Sequence, residues 1–201
     1  MPVRKEFTSD ISDQQESEAN KAFDKLTKSG LFNDLLTDAD ATITFTNKVT
    51  PGTKGSYIPS SGLLRIQPSG SADEILNTIA HELTHAAQTR AAKLGYLAGD
   101  NSDRRQMSPE LLKAADAAGV NYDKGGLELE AWTAANLRPG VTYKDPQMTE
   151  LLKKFPDQMQ ELYRNTVQPM REPVKHTKGY PEMNPVEKTL NTLFGYQPST
   201  K

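Results

Sequence analysis

The stretch from residue 69 to about residue 94 restricts the fold more than any other part of the chain. Its apolar side chains recur at helical spacing, which predicts one long helix with a face turned to the core. Ser69 or Ser71 can cap its start, and Asp73 and Glu74 suit its first turn. The largely apolar stretch ILNTIA, residues 75–80, indicates that this helix lies at the centre of the fold. The residues expected to face the core are Ile75, Ile79, Leu83, Ala86 and Leu94.

Two histidines stand four residues apart within this predicted helix. Because four residues advance about one turn, the imidazoles of His81 and His85 project from the same face. That spacing suits two nitrogen ligands of a tetrahedral Zn²⁺, and Glu82 beside them is a candidate general base. A surface helix with two solvated histidines is the alternative. The chain has only three histidines, so this arrangement is unexpected by chance.

A catalytic zinc site needs a third protein ligand and a position left for water. The remaining histidine, His176, lies far downstream in a proline-rich tail. Gln88 and Ala91 occupy the places where an extended H-x-x-G-x-x-H pattern carries glycine and histidine, so that pattern is absent. A carboxylate is the better candidate, and a later predicted helix offers Glu128 and Glu130.

Only one of these two carboxylates can face the metal, because residues two apart on a helix point about 200° away from each other. Ala131 and Ala135, at i+3 and i+7 from Glu128, would let this helix approach the histidine helix closely. They favour Glu128 as the third ligand. Glu130 stays an alternative, since it has Ala134 as a small helical neighbour. The carboxylate that does not face the metal is expected on the surface.

Two strands are predicted before the histidine helix. Residues 41–48 alternate and are β-branched, whereas residues 62–68 are stopped by Pro68, which marks an edge strand. Turn formers fill the stretch between them. The predicted fold class is α+β, with a small, mostly antiparallel sheet packed on the histidine helix. Further helices are predicted at residues 13–29, 108–118, 127–137, 146–153 and 157–167.

The 201 residues predict one domain over residues 1–168, with a polar start, and a proline-rich tail over residues 169–201. The chain has no cysteine, which excludes disulfides, thiolate zinc ligands and cysteine nucleophiles. A formal net charge of −2 gives no reason to expect nucleic acid as a partner. We expect no membrane span and no cleaved signal peptide, which leaves the location open between the cytoplasm and signal-independent export.

Three segments together resemble a known superfamily. HELTH at residues 81–85, ELEA at residues 128–131 and the upstream GLLRIQP strand are similar to the gluzincin branch of the zincin metallopeptidases. The resemblance covers roughly residues 55–137 and implies a zincin-like fold with bound Zn²⁺. It implies that His81, His85 and Glu128 are the metal ligands. It also implies that Glu82 is the general base.

The resemblance has one departure and one further implication. Many relatives carry an acid directly after E-x-x-A that orients a zinc histidine, but Trp132 stands there. The orienting partner must therefore come from elsewhere, and Trp132 is expected to pack between helices. In zincins an edge strand above the histidine helix binds extended substrate as an added strand, which would assign that role to Leu63–Ile66.

A hydrolase of this kind also needs a donor for the oxyanion that forms on the attacked carbonyl. Tyr122 is the predicted donor, because it lies at the loop entering the helix of Glu128. The competing residues are Tyr57, Tyr163, His176 and Tyr180.

The expected activity is the hydrolysis of peptide bonds in a protein or peptide substrate, with Glu82 passing a proton to the leaving amine. An injected effector or a phage-encoded protease would fit the expected absence of a signal peptide. Two alternatives stay open. One is a zincin scaffold that binds a partner without cleaving it, and the other is a cell-wall (peptidoglycan) hydrolase.

Overall fold

The computed structural model describes residues 4–28, 42–93, 107–121, 126–138 and 140–171. Within these ranges the chain has an α+β fold with six helices and one four-stranded sheet. The strands are β1 (Arg4–Phe7), β2 (Thr42–Phe45), β3 (Gly55–Ile58) and β4 (Leu63–Ile66). The helices are α1 (Asp13–Lys28), α2 (Ala72–Lys93), α3 (Pro109–Ala117), α4 (Leu127–Leu137), α5 (Pro146–Lys154) and α6 (Pro156–Arg171).

The strands are ordered β1-β2-β4-β3 across the sheet. β2 pairs in parallel with both β1 and β4, and only the β3–β4 pair is antiparallel. The prediction of a mostly antiparallel sheet is therefore wrong. Parallel neighbours need crossover connections, and α1 lies in the connection between β1 and β2. Alternation of apolar residues along a strand carries no information about the direction of the strand beside it.

The sheet edges also differ from the prediction. β4 lies between β2 and β3, so the prediction that Leu63–Ile66 is an edge strand is wrong. Pro68 falls beyond the end of β4, where its missing N–H removes no ladder hydrogen bond. The two edges are β1 and β3, and neither was predicted as a strand. Arg4–Phe7 is mostly polar, and Gly55–Ile58 lies among turn formers.

Helix α2 lies between the sheet and the later helices. Its predicted core residues Ile75, Ile79, Leu83 and Ala86 are buried, while Leu94 lies outside the described residues. Two groups of buried side chains form the core. The sheet core includes Leu26, Ile43, Phe45, Leu64, Ile66, Ile75, Ile79 and Leu83. The helical core, built from α3 to α6, includes Leu111, Leu129, Met148, Leu151, Met159 and Leu162.

A capping box fixes the start of α2. The backbone N–H of Ser71 donates to the Glu74 carboxylate at 2.8 Å, and the backbone N–H of Glu74 donates to the Ser71 hydroxyl at 3.4 Å. From this start α2 packs against α1 on one side and α4 on another. On α4 the small residues Ala131, Ala134 and Ala135 are buried, which allows the two helices to approach closely.

The remaining predicted helices are confirmed, with small differences at their ends. Helix α6 continues to Arg171, past its predicted end at residue 167. The rest of the predicted tail, residues 172–201, lies outside the described residues. Among the helices that the structure describes, none combines the length and apolar character that crossing a bilayer would require.

Candidate metal centre

Two histidines of α2 and one glutamate of α4 meet where these helices pack. His81 and His85 project from one face of α2, as their spacing predicts. Glu128 lies in the first turn of α4 and reaches across to both imidazoles. All three side chains are largely buried, so the charge of the group is weakly screened by water.

The candidate ligand atoms converge on one point. His81 Nε2 and His85 Nε2 are 3.1 Å apart. Glu128 Oε2 is 3.2 Å from His81 Nε2, and Glu128 Oε1 is 3.3 Å from His85 Nε2. A tetrahedral ion with ligand bonds of about 2.0–2.1 Å separates its ligand atoms by about 3.3–3.4 Å. The spacing and the donor types therefore fit a metal ion of the size of Zn²⁺.

Glu130 lies apart from this group. Its carboxylate accepts a hydrogen bond from Gln88 Nε2 at 2.9 Å, and the residue is only 5% exposed. The expectation that one carboxylate of the pair lies on the surface is therefore wrong, because the first turn of α4 packs against α2 on more than one face. The structure brings Glu128, and not Glu130, to the histidines. Its role as a ligand stays a prediction.

Glu82 is buried under the edge strand β3. The backbone N–H of Tyr57 donates to its carboxylate. A Cβ at Gly55 would lie 3.0 Å from Glu82 Cγ and Oε1 and 2.8 Å from Thr78 Cγ2, so the strand can come this close only at a glycine. Burial, together with the nearby Glu128 charge, raises the pKa of Glu82 above its ordinary value, against the opposing effects of the histidines and of Tyr57.

Gln88 connects the histidine helix to α4. Its Nε2 donates to the Leu127 carbonyl and to the Glu130 carboxylate, each at 2.9 Å. These two acceptors orient the amide, so that its Oε1 faces His85 Nδ1 at 2.8 Å. Sequence reasoning noted Gln88 only as a departure from the extended histidine pattern. Its position one turn after His85, on the same face, is the signal that identifies it.

The same contacts affect the protonation of His85. Burial lowers the pKa of the His85 imidazole, but the hydrogen bond and charge of Glu128, with Gln88 and Glu82, outweigh this effect and raise the pKa above its ordinary value. The polar surroundings of His85 thus favour a positive charge at the centre.

His81 is held differently. Its ring meets the ring of Trp132 edge-on, with centroids 4.9 Å apart and planes at 66°. Trp132 also packs against the helical core, so the prediction that it lies between helices is confirmed. In the part of the chain that the structure describes, His81 Nδ1 is buried without a hydrogen-bond partner. His81 is therefore oriented by aromatic packing, and His85 by a hydrogen bond.

A cleft of about 460 Å³ opens beside the candidate ligands. Its walls come from β3, α2 and the start of α4, and its lining includes Ser56, Tyr57, Glu82, His85, Leu127 and Glu128. Leu127 is 40% exposed, which is unusual for a large apolar side chain among the residues that the structure describes. A molecule in the cleft would therefore meet an apolar wall next to the polar centre.

The predicted oxyanion donor Tyr122 lies outside the described residues, as do its competitors His176 and Tyr180. Tyr163 packs against the sheet core. Tyr57 lines the cleft; burial raises the pKa of its hydroxyl, while a hydrogen bond with Thr89 opposes the rise. Tyr57 is thus the competitor that the described structure places at the cleft.

No protein-family model matches the chain, and no curated protein matches it significantly.

Proposed function

We propose that this protein is a zincin-type metallopeptidase that holds Zn²⁺ with His81, His85 and Glu128. The observation that carries the proposal is the approach of the two imidazole nitrogens and the carboxylate to 3.1–3.3 Å of one another. Two imidazoles and one carboxylate form a ligand set of catalytic zinc sites, which leave a fourth position open. When bound, the ion would supply a Lewis acid and lower the pKa of a water to about 7.

Glu82 is the proposed general base. It takes a proton from the attacking water and delivers it to the amine that leaves when the peptide bond breaks. Its raised pKa suits this task, because a carboxylate that binds a proton more readily is a better acceptor near neutral pH. The Tyr57 N–H donates to the Glu82 carboxylate at the cleft, and the absence of a side chain at Gly55 leaves room for it there.

The substrate class is an extended peptide, and the proposed docking strand is β3. This strand lies at the sheet edge and lines the cleft with Gly55, Ser56 and Tyr57. An extended chain can add to such an edge through main-chain hydrogen bonds. The role first assigned to Leu63–Ile66 thus passes to Gly55–Ile58. Tyr122 stays the proposed oxyanion donor, with Tyr57 as its rival.

The decisive experiment compares the wild type with Glu82→Gln. Metal content is measured by elemental analysis after purification, and cleavage is measured on a mixture of unstructured peptides. We expect one Zn²⁺ per chain in both proteins and a loss of turnover of about 10²–10⁴-fold in the variant. Undiminished cleavage by Glu82→Gln would refute the assigned base.

Other results of the same experiment would select the alternatives. A protein without tightly bound metal would point to a binding scaffold. A metal-loaded protein that leaves all peptides intact but releases fragments from purified peptidoglycan would point to a cell-wall hydrolase.

A further inference from the structure

One side chain outside the proposed ligand set contacts both helices that carry the ligands. Gln88 is 6% exposed, and its amide makes three hydrogen bonds, to His85 Nδ1, the Leu127 carbonyl and the Glu130 carboxylate. Leu127 is the residue directly before Glu128. A single amide therefore joins one histidine ligand to the backbone that presents the carboxylate ligand.

We propose that Gln88, held by Glu130, is a positioning residue that sets the metal affinity of the centre. The proposal rests on metal binding by the proposed function, and not on its peptidase activity. In many relatives an acid orients a zinc histidine, and Trp132 stands at the position of that acid here. Gln88 and Glu130 take over its role.

Gln88 determines the tautomer of His85. Gln88 Nε2 faces two acceptors, so the Oε1 atom is the one turned to the imidazole. An amide oxygen only accepts hydrogen bonds, and His85 Nδ1 must therefore carry a proton. The lone pair of the neutral ring is then on Nε2, the atom that faces His81 and Glu128. Gln88 thus selects the tautomer that can bind a metal.

Gln88 also contacts the start of the helix that carries Glu128. The first four backbone N–H groups of a helix have no intrahelical partner, so contacts from other elements help to hold its first turn in place. Gln88 donates to the Leu127 carbonyl and to the Glu130 carboxylate, and both of these residues lie in the first turn of α4. These contacts fix the start of α4 against α2. Preorganised ligands bind a metal more tightly, because less motion is lost on binding.

The experiment measures Zn²⁺ affinity by competition with a chromophoric chelator, and the visible absorption spectrum of the Co²⁺-loaded protein as a report of ligand geometry. We expect Gln88→Ala to bind Zn²⁺ about 10–100-fold more weakly and to change the Co²⁺ spectrum. The matched control is Asn77→Ala. Asn77 is another buried amide of α2 that contacts α4, through Arg138, but at the opposite end of the interface. The control should keep wild-type affinity and spectrum.

A swap separates positioning from simple loss of packing. Gln88→Glu retains an oxygen for His85 but sets two carboxylates against each other, so it should also weaken Zn²⁺ binding. Adding Glu130→Gln lets the introduced amide donate to the introduced carboxylate, which restores the contact between the two positions. We expect the double variant to recover part of the lost affinity, because the contact between positions 88 and 130 returns while the donation to the Leu127 carbonyl does not.

Each outcome decides the proposal. Folded Gln88→Ala with affinity within twofold of the wild type would overturn it. Should Gln88→Ala fail to fold, the swap decides, since equal affinity in the single and double variants would also overturn it. Wild-type protein that binds Zn²⁺ but cleaves nothing would sink the peptidase proposal alone. Wild-type protein that binds no Zn²⁺ would sink both.

Discussion

Buried polar groups mark both ends of the interface between α2 and α4, and the two ends are built differently. At the far end, Arg138 donates to the side-chain oxygen of Asn77 at 2.6 Å and to the Ala135 carbonyl. At the near end, His81, His85 and Glu128 turn their ligand atoms to a common point. The far end has a cation of its own, whereas the near end must obtain positive charge from a proton or an ion.

This difference distinguishes a structural cluster from a candidate binding site. Burial lowers the pKa of Arg138 to about 10, against an opposing effect of Asp73, so the guanidinium stays charged at neutral pH and satisfies its neighbours permanently. The imidazoles at the near end have nitrogen lone pairs that are available to a metal. Buried polar residues thus indicate a candidate binding site when their ligand atoms converge on one point. They indicate a structural role when a charged partner already satisfies them.

The largest expected effect is the stabilisation of the near end by metal. At a free Zn²⁺ concentration about 1,000 times the dissociation constant, the folded state gains about 4 kcal/mol. For a chain of this size the melting temperature should rise by roughly 8–16 °C. Glu128→Ala should abolish the rise, and Glu150→Ala, which removes an exposed glutamate of α5, should not. Circular dichroism melts with and without Zn²⁺ test this, and an unmoved wild-type melt would contradict it.

The next effect concerns Glu82, the proposed general base at the near end. Gly55→Ala should displace Glu82 or β3, because the added methyl carbon would lie within 3.0 Å of Glu82 and Thr78. We expect retained Zn²⁺ affinity and a loss of turnover of about 10²-fold. Gly52→Ala is the control, since its φ of +85° adds backbone strain while no atom lies within 4 Å of the new carbon. Equal turnover of Gly55→Ala and wild type would argue against the assigned contact.

The far end should respond in stability alone. Arg138→Met removes the donor of Asn77 and of the Ala135 carbonyl and leaves them buried. We expect the free energy of unfolding in urea to fall by about 1–3 kcal/mol, with Zn²⁺ affinity within twofold of the wild type. A large loss of Zn²⁺ affinity would show that the two ends are coupled and would break the comparison.

The smallest effect lies at the surface of the far end. Lys25 donates to Asp73 at 2.7 Å, and this bond, with a further one to Thr142, lowers the pKa of Asp73 below its ordinary value of 3.8. Its stabilising contribution is present above pH 3.8 and is lost as the pH falls through the lower folded-state pKa. Lys25→Met should therefore cost under about 1 kcal/mol at neutral pH. In urea titrations the difference from the wild type should shrink in acid; a constant difference would contradict the assignment.

Local patterns predicted the elements that carry the site. The apolar period and the candidate caps Ser69 and Ser71 indicate α2, and the segment LELEAWTAANL matches α4 from end to end. The shared face of the two histidines follows from their spacing, and the small residues Ala131 and Ala135 favour Glu128 over Glu130 as the third ligand. These features depend on neighbours within a few helical turns, which the sequence displays directly.

What was missed depends on partners distant in the chain. Gly55–Ile58 becomes a strand because it pairs with β4, although it lies among turn formers. The parallel direction of β1 and β4 beside β2 depends on crossovers. The burial of Glu130 and the close approach of Gly55 to Glu82 arise from tertiary packing, and the periodicity of apolar residues predicts neither.

The proposed ligands that converge at the near end are far apart along the chain, with about forty residues between His85 and Glu128. An ion held by both would act as a removable cross-link that closes this loop in a protein without cysteine. Closing a loop of that length restricts the unfolded chain by an amount comparable to a disulfide, about 4 kcal/mol in the chain-entropy description. Removal of the ion by a chelator would then destabilise this protein, as reduction of its disulfides destabilises a secreted protein.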